Sequence, residues 1–480
     1  MPEKKTKKTG LVSGSVMVTA ARVASAACAF VLLWFISQES VADLGAFRTL
    51  FVFFLVVEFL PLLGMNQFLI REIARSPGQA ADFLLHGVLL GLLVSVFIGA
   101  ALLALSFYGG YSPAVRAGLP LIMISLPATA AVLCLQSVLV AMGRGTDFGV
   151  IQGVEVVART VVGIVVIETT QNILYVMAGF VAVRCLITAV YWRRVRPLTL
   201  PCAARIRMDL VKIFAAMTPQ FAGILLLFLV IRFAGPMMVP WMEGDAAAGQ
   251  FAIVYQFLDL ILLVPTAFAV NLMPLLARKA AGSLTDMNRT GKQAMGLIVM
   301  LMAPVTVFLA VHSEGLVVFI FGPAYGPAVV LVRIAIWAGL MLVVDQMLSI
   351  SMIAAERQKA DLAALAVGAL VTVAGMYVLI SAYGVTGASA GLLLGTSSLL
   401  AARVILYRRK VGPVSPPALL WRTMAAGVVM GGFMIFYGAT GFNMLVSGLA
   451  GGALYLLVLA GLGSFNRENR GRFAELLHNR

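Results

Sequence analysis

Charge is what this sequence has least of. Asp, Glu, Lys and Arg make up 11% of its 480 residues, against 61% apolar ones, where a soluble domain carries roughly 25% charged residues. So little polar surface excludes the soluble classes and makes a bilayer the expected solvent. Cysteine is scarce as well: Cys28, Cys134, Cys185 and Cys202 are scattered, so neither a disulfide framework nor a thiolate zinc site follows. The three histidines, His86, His312 and His478, stand far apart. Metal catalysis therefore has no ligand set, and no cofactor is expected beyond a coupling ion. Nucleotide hydrolysis lacks its phosphate loop, because Gly291-Lys292 is followed by Gln293 and Asp286 stands where the first glycine belongs. Long polar segments are missing too. The longest, 193–213, is too short for a soluble catalytic domain.

What is present is a series of fourteen apolar stretches, running from 14–36 to 442–463. Each is long enough for a hydrocarbon core ~30 Å thick, which takes ~20 residues per crossing. The basic start (Lys4, Lys5, Lys7, Lys8) leads into a stretch too long for a signal-peptide core, so the first stretch is expected to remain as a helix. The expected fold is an all-α polytopic membrane protein of about 14 transmembrane helices. The net charge of +15 fits this plan. Outside the spans, every Lys and Arg except Arg116 falls in the N-terminal tail, the even-numbered loops or the C-terminal segment. By the positive-inside rule, both termini are then cytoplasmic. The excess is thus a property of the inner face, where anionic lipid rather than nucleic acid is the expected partner.

The chain also repeats itself. A shift of 204 residues places Gly45 on Gly249, Phe47 on Phe251, Phe53 on Phe257 and Pro61 on Pro265. Further on, the loop at Arg144 matches the one at Arg357, and Tyr191-Trp192-Arg193-Arg194 resembles Tyr407-Arg408-Arg409. The plan is a basic tail (1–13), a six-helix lobe (14–192), a basic linker (193–213), a second six-helix lobe (214–410), an extra helix pair (411–463) and a basic tail (464–480). Six crossings per half give both halves the same orientation, a parallel repeat of the kind that encloses an alternately opening cavity. Small-xxx-small spacings at Gly87/Gly91, Gly387/Gly391/Gly395, Gly427/Gly431 and Gly448/Gly452 permit close helix packing.

Charges inside spans must face a partner or a wet cavity. In the first lobe, Arg22, Arg184, Glu58 and Glu155 all lie about 9–12 Å from the inner surface at 1.5 Å per residue, so they can share one layer. Glu155 and Arg159 are four apart on one helix, the order that favours an ion pair. Two readings stay open: a neutral bridge between spans, or, with Arg22 counted, one surplus positive charge that receives an anion. Arg48 and Arg333, near outer ends, either snorkel or line a path. In the second lobe Asp259 sits near mid-span and Asp345 nearer the inner face, where a carboxylate binds H⁺ or Na⁺ or pairs with an arginine. Arg403 and Arg422 lie close enough to inner ends to snorkel.

Several motifs resemble the multidrug/oligosaccharidyl-lipid/polysaccharide (MOP) flippase superfamily, in particular its polysaccharide-export members. They are Gly14-Ser15 ahead of Ala21-Arg22-Val23, the basic loop Leu69-Ile70-Arg71-Glu72-Ile73-Ala74-Arg75, Phe321-Gly322-Pro323-Ala324-Tyr325-Gly326-Pro327-Ala328 before helix 10, and Tyr383-Gly384-Val385-Thr386-Gly387-Ala388 at the turn into helix 12. The resemblance implies a V-shaped pair of lobes in the bacterial inner membrane that moves a polyprenyl-pyrophosphate-linked sugar between leaflets, beside a polysaccharide polymerase and glycosyltransferases. Arginine suits a pyrophosphate headgroup, so substrate-binding roles are expected for the in-span Arg22, Arg159, Arg184, Arg48 and Arg333. The lipid II flippase branch is similar in having fourteen spans and an arginine matching Arg22, but it carries another where this chain has Cys28. It also implies that the last two helices form a groove for the lipid tail. The cation-exporting arm uses acidic cavity residues, whereas the first lobe here has more Arg than Asp or Glu in its spans. A membrane glycosyltransferase or polymerase would carry a large outer loop, and Glu243-Gly244-Asp245 lies in a short one.

Overall fold

The computed structural model describes residues 27–199, 205–414, 418–438 and 444–463. Among them every regular element is a helix. They are α1 (Ala27–Ser37), α2 (Val41–Phe59), α3 (Asn66–Arg75), α4 (Ala80–Tyr108), α5 (Pro113–Ala141), α6 (Gly145–Thr170), α7 (Ile173–Thr199) and α8 (Met208–Gly282). There follow α9 (Leu284–Val311), α10 (Ser313–Phe321), α11 (Ala328–Ala354), α12 (Gln358–Tyr383), α13 (Val385–Lys410), α14 (Ala418–Gly438) and α15 (Met444–Gly461). Each of the fourteen apolar stretches coincides with a helix or with one arm of α8, the first of them described only from Ala27. Ten described helices are long and apolar enough to cross a membrane. Large apolar side chains such as Val96 and Phe97 of α4, Leu186 of α7 and Leu370 of α12 lie exposed, as lipid-facing surfaces require.

Local chemistry sets the helix ends. Ser40 accepts the Asp43 N–H, Ser112 the Val115 N–H and Ser283 the Asp286 N–H, each a hydroxyl satisfying an orphan donor of the first turn. α8 holds two spans, broken at Gly244, whose φ of 82° and ψ of −177° no helix contains. Two short helices, α3 and α10, lie between spans. The basic segment read from the sequence as a loop, Leu69–Arg75, is thus helical, with Phe68, Leu69 and Ile73 buried on one side. α7 likewise continues past the expected span end to Thr199 and carries Arg193, Arg194 and Arg196.

The chain forms two compact units, Met1–Gly249 and Gln250–Arg480. In the first, α5 packs against α2, α3, α4 and α7, and α6 against α7. The incoming end of α8 is strapped to α4: Arg205 N–H donates to Asp82 Oδ1 at 2.8 Å and Arg207 N–H to His86 Nε2 at 3.1 Å. Also within this unit, α2 meets the chain just beyond the α8 break. A Cβ on Gly45 would overlap the Asp245 carbonyl, and one on Gly249 the Val41 carbonyl.

In the second unit α12 and α13 make the tightest helix pair. Gly387, Gly391 and Gly395 lie against Leu379, Met376 and Thr372, leaving no room for a side chain. α14 and α15 dock on α9 as well as on each other. Ala426, Met430, Met434, Tyr455 and Leu459 form a core with Met300, Val307 and Phe308, and the Tyr455 hydroxyl donates to the Met300 carbonyl at 2.7 Å.

Candidate functional site

Four of the charged residues singled out in the sequence meet in the first unit. Arg184 of α7 reaches Glu58 of α2, and its Nε lies 3.2 Å from Glu155 Oε1 of α6. Arg159, one turn beyond Glu155, donates to the same Glu58 Oε1 at 2.7 Å and stands 3.8 Å from Glu155. Both guanidinium carbons lie over the buried Phe54 ring, at 5.5 and 5.8 Å from its centroid, an arrangement attractive to a cation. Three helices, α2, α6 and α7, are tied together at this point.

The cluster has an inner and an outer edge. The Arg184 and Glu155 side chains are 6% and 3% exposed, whereas Arg159 and Glu58 keep 14% and 18%. Arg159 and Glu58 are therefore the members an incoming ligand would meet. Two arginines on two glutamates make the described cluster formally neutral. The surplus positive charge expected from the sequence rests on Arg22, which lies outside the described residues.

The remaining candidates stand elsewhere. Arg48 is buried on α2, ten residues before Glu58 and so about 15 Å along the axis, with its guanidinium over Phe51. Arg333 is half exposed at the start of α11, donating to Ser313 at 2.9 Å and to Glu314 at 3.3 Å. Asp259 is half-buried on α8 and engaged by neighbours.

Asp345 belongs to a second cluster, which the sequence reading missed. Arg403 of α13 pairs with Asp345 of α11, and its Nε lies 2.9 Å from Asp361 Oδ1 in the first turn of α12. Arg403 is only 2% exposed; it is locked between two carboxylates rather than snorkelling to the inner surface. Asp361 escaped notice because it precedes the apolar stretch of its helix. In each unit, then, an arginine on the sixth span binds two acidic residues from other helices. The repeat-matched tyrosines follow the same plan: buried Tyr191 accepts from Gln136 at 3.2 Å, and buried Tyr407 donates to Asn288 at 2.9 Å.

No protein-family profile and no curated protein matches the chain. Solved structures do match it. The lipid II flippase MurJ in an inward closed conformation superposes with a TM-score of 0.72 at 13% identity, over 93% of this chain and 98% of that one. An inward-facing multidrug resistance MATE family transporter of the MOP superfamily gives 0.68 at 12% identity, over 82% and 98%. A MOP superfamily transporter from Pyrococcus furiosus, described as having a binding pocket of reverse polarity that suggests a different function, gives 0.60 at 14% identity, over 84% and 96%. The fold is that of the MOP transporters. Within that class, the flippase structure aligns with more of this chain than either transporter.

Proposed function

We propose that the chain is a flippase of the bacterial inner membrane, with both termini cytoplasmic, that carries a lipid-pyrophosphate-linked oligosaccharide from the inner to the outer leaflet by alternating access. The observation that carries this reading is the arginine cluster of the first unit. Two guanidiniums are held on an aromatic ring deep in a span layer, with no carboxylate in excess. A cation exporter would place unpaired acid there, whereas a guanidinium fork stays charged when desolvated and matches phosphate oxygens bidentately. Arg159, at the accessible edge, contacts the pyrophosphate, Arg184 holds Glu58 and Glu155 in position, and Arg22 supplies the unbalanced positive charge. The substrate's sugar is that of an exported polysaccharide repeat unit, produced by glycosyltransferases and consumed by a polymerase. Asp259 or Asp345 couples the cycle to H⁺ or Na⁺. Further support comes from the extent of the flippase alignment, 93% of this chain against 82% for the MATE transporter.

The test is reconstitution of the full chain in liposomes containing a fluorescent polyprenyl-pyrophosphate oligosaccharide. The wild type exposes the label to an external quencher. Arg22→Ala and Arg159→Ala each slow this by at least about tenfold, the loss expected when a charge-assisted hydrogen bond is removed. Unchanged flipping in Arg22→Ala overturns its assignment. Efflux of a cationic dye with no sugar flipping overturns the flippase reading.

A further inference from the structure

α9 carries Thr285, Asn288, Arg289 and Lys292 at the i, i+3, i+4, i+7 spacing that puts side chains on one helix face. Facing them, the chain leaving α13 turns through Gly412 and Pro413, and a cavity of about 360 Å³ lies between. The donor set is already oriented. The Tyr407 hydroxyl occupies Asn288 Oδ1 at 2.9 Å, which turns Nδ2 toward the Gly412 turn; its nearest acceptor there, the Pro413 carbonyl, is 3.5 Å away. Gly412 has φ +155°, and a Cβ on it would come within 2.7 Å of that Nδ2, so only glycine leaves the amide in place. Lys292 is half-buried and Arg289 exposed; among the described residues neither has an ion-pair partner, and no carboxylate lines the cavity. Two unneutralised cations with neutral donors beside them select an anion rich in oxygen acceptors, which is the chemistry of a phosphate.

The level of the cavity identifies the source of that phosphate. The apolar part of α9 starts at 293, one residue beyond Lys292, so the cavity opens at headgroup height. Lys292 also borders a small void of about 10 Å³ among Met295, Met347, Leu348 and Ser351. Two basic residues at headgroup height, where the apolar part of a span begins, meet the phosphate of an anionic lipid more readily than a free ion.

We propose that this cavity binds the phosphodiester headgroup of an anionic phospholipid, with Arg289 and Lys292 on the phosphate and Asn288 and Thr285 as neutral donors. In the orientation proposed above, the lipid belongs to the cytoplasmic leaflet. The site is built entirely from the second unit and uses none of the residues assigned to the transported substrate. The Gly291-Lys292 pair, which fails as a nucleotide loop, thus places a lysine for a different phosphate.

The test is native mass spectrometry of the detergent-purified full chain loaded with phosphatidylglycerol, phosphatidylcholine or inorganic phosphate. The wild type retains phosphatidylglycerol in preference to phosphatidylcholine. R289Q/K292Q lowers that retention about twenty-five-fold, from about a factor of five for each basic residue near a charged lipid surface. R289K/K292R keeps it, as does R193Q/R194Q on α7, which alters cations outside the cavity. Equal retention by R289Q/K292Q and the wild type overturns the proposal. So does equal retention of the two lipids, or a comparable loss in R193Q/R194Q. Thermal stabilisation of lipid-free protein by inorganic phosphate, with no lipid retained, overturns the assignment to a phospholipid.

Discussion

Arg184 touches both glutamates of the first cluster and is almost fully buried, so its loss leaves two carboxylates in apolar surroundings with only Arg159 to share. Breaking a buried pair from one side costs about 3–5 kcal/mol. Arg184→Gln is therefore expected to lower the melting temperature of the purified protein more than Arg159→Gln does, and Arg184→Gln/Glu155→Gln to recover part of the loss. A double variant no more stable than Arg184→Gln would show that the pair is not coupled. Asp245 makes a different prediction, for pH. Burial, aided by nearby Asp43, raises its pKa above the ordinary carboxylate value, against the lowering effect of a hydrogen bond with Ser112. The folded state then keeps this proton to higher pH than the unfolded chain does. Its contribution is most favourable below the unfolded pKa and is lost as pH rises through the folded one. Asp245→Asn should accordingly raise the melting temperature at neutral pH and do so progressively less as the pH falls through the carboxylate range. A gain that grows on acidification would contradict the burial argument. At this scale the sequence reveals depth and little else. Counting residues from span ends put Glu58, Glu155 and Arg184 at one height, and they do touch. The same count put Arg403 near a surface, because distance along a helix says nothing of which way the side chain turns.

Helices were the most legible level, since a span must be both apolar and about twenty residues long. α3 and α10 escaped that filter. At ten and nine residues they are too short to cross, and α3 buries only one side. The small-residue spacings were legible as contacts but not as partners. Gly395 meets Thr372 of α12, whereas Gly427 and Gly431 face Val307 of α9, Gly448 faces Phe308, and Gly452 faces no side chain within 4 Å. Gly395→Leu should therefore destabilise by about 1–3 kcal/mol or more through overpacking. Gly452→Ala should be neutral or slightly stabilising, because it removes only the helix penalty of glycine. Thermal unfolding of the two variants in detergent checks both, and equal melting temperatures would refute the packing difference.

Two compact units, each with its own buried arginine and its own acidic partners, predict unfolding in more than one step. In calorimetry of the full chain, Arg184→Gln should move one transition and Gly395→Leu the other. A single peak displaced by both would mean that the units melt together. The substrate is the level least visible in the sequence, because what a transporter carries depends on a cavity assembled from many helices rather than on a local motif. One contact speaks to an older question. Gly45 and Gly249 occupy equivalent places in the internal repeat, and each leaves its neighbour's backbone no space for a side chain. A half-length ancestor pairing with a second copy of itself would have set this same glycine against its own counterpart, in the self-complementary manner of a two-fold dimer. Fusion of the two genes would have freed most duplicated positions to drift apart, but not this one, where neither copy could gain an atom while the other stayed put.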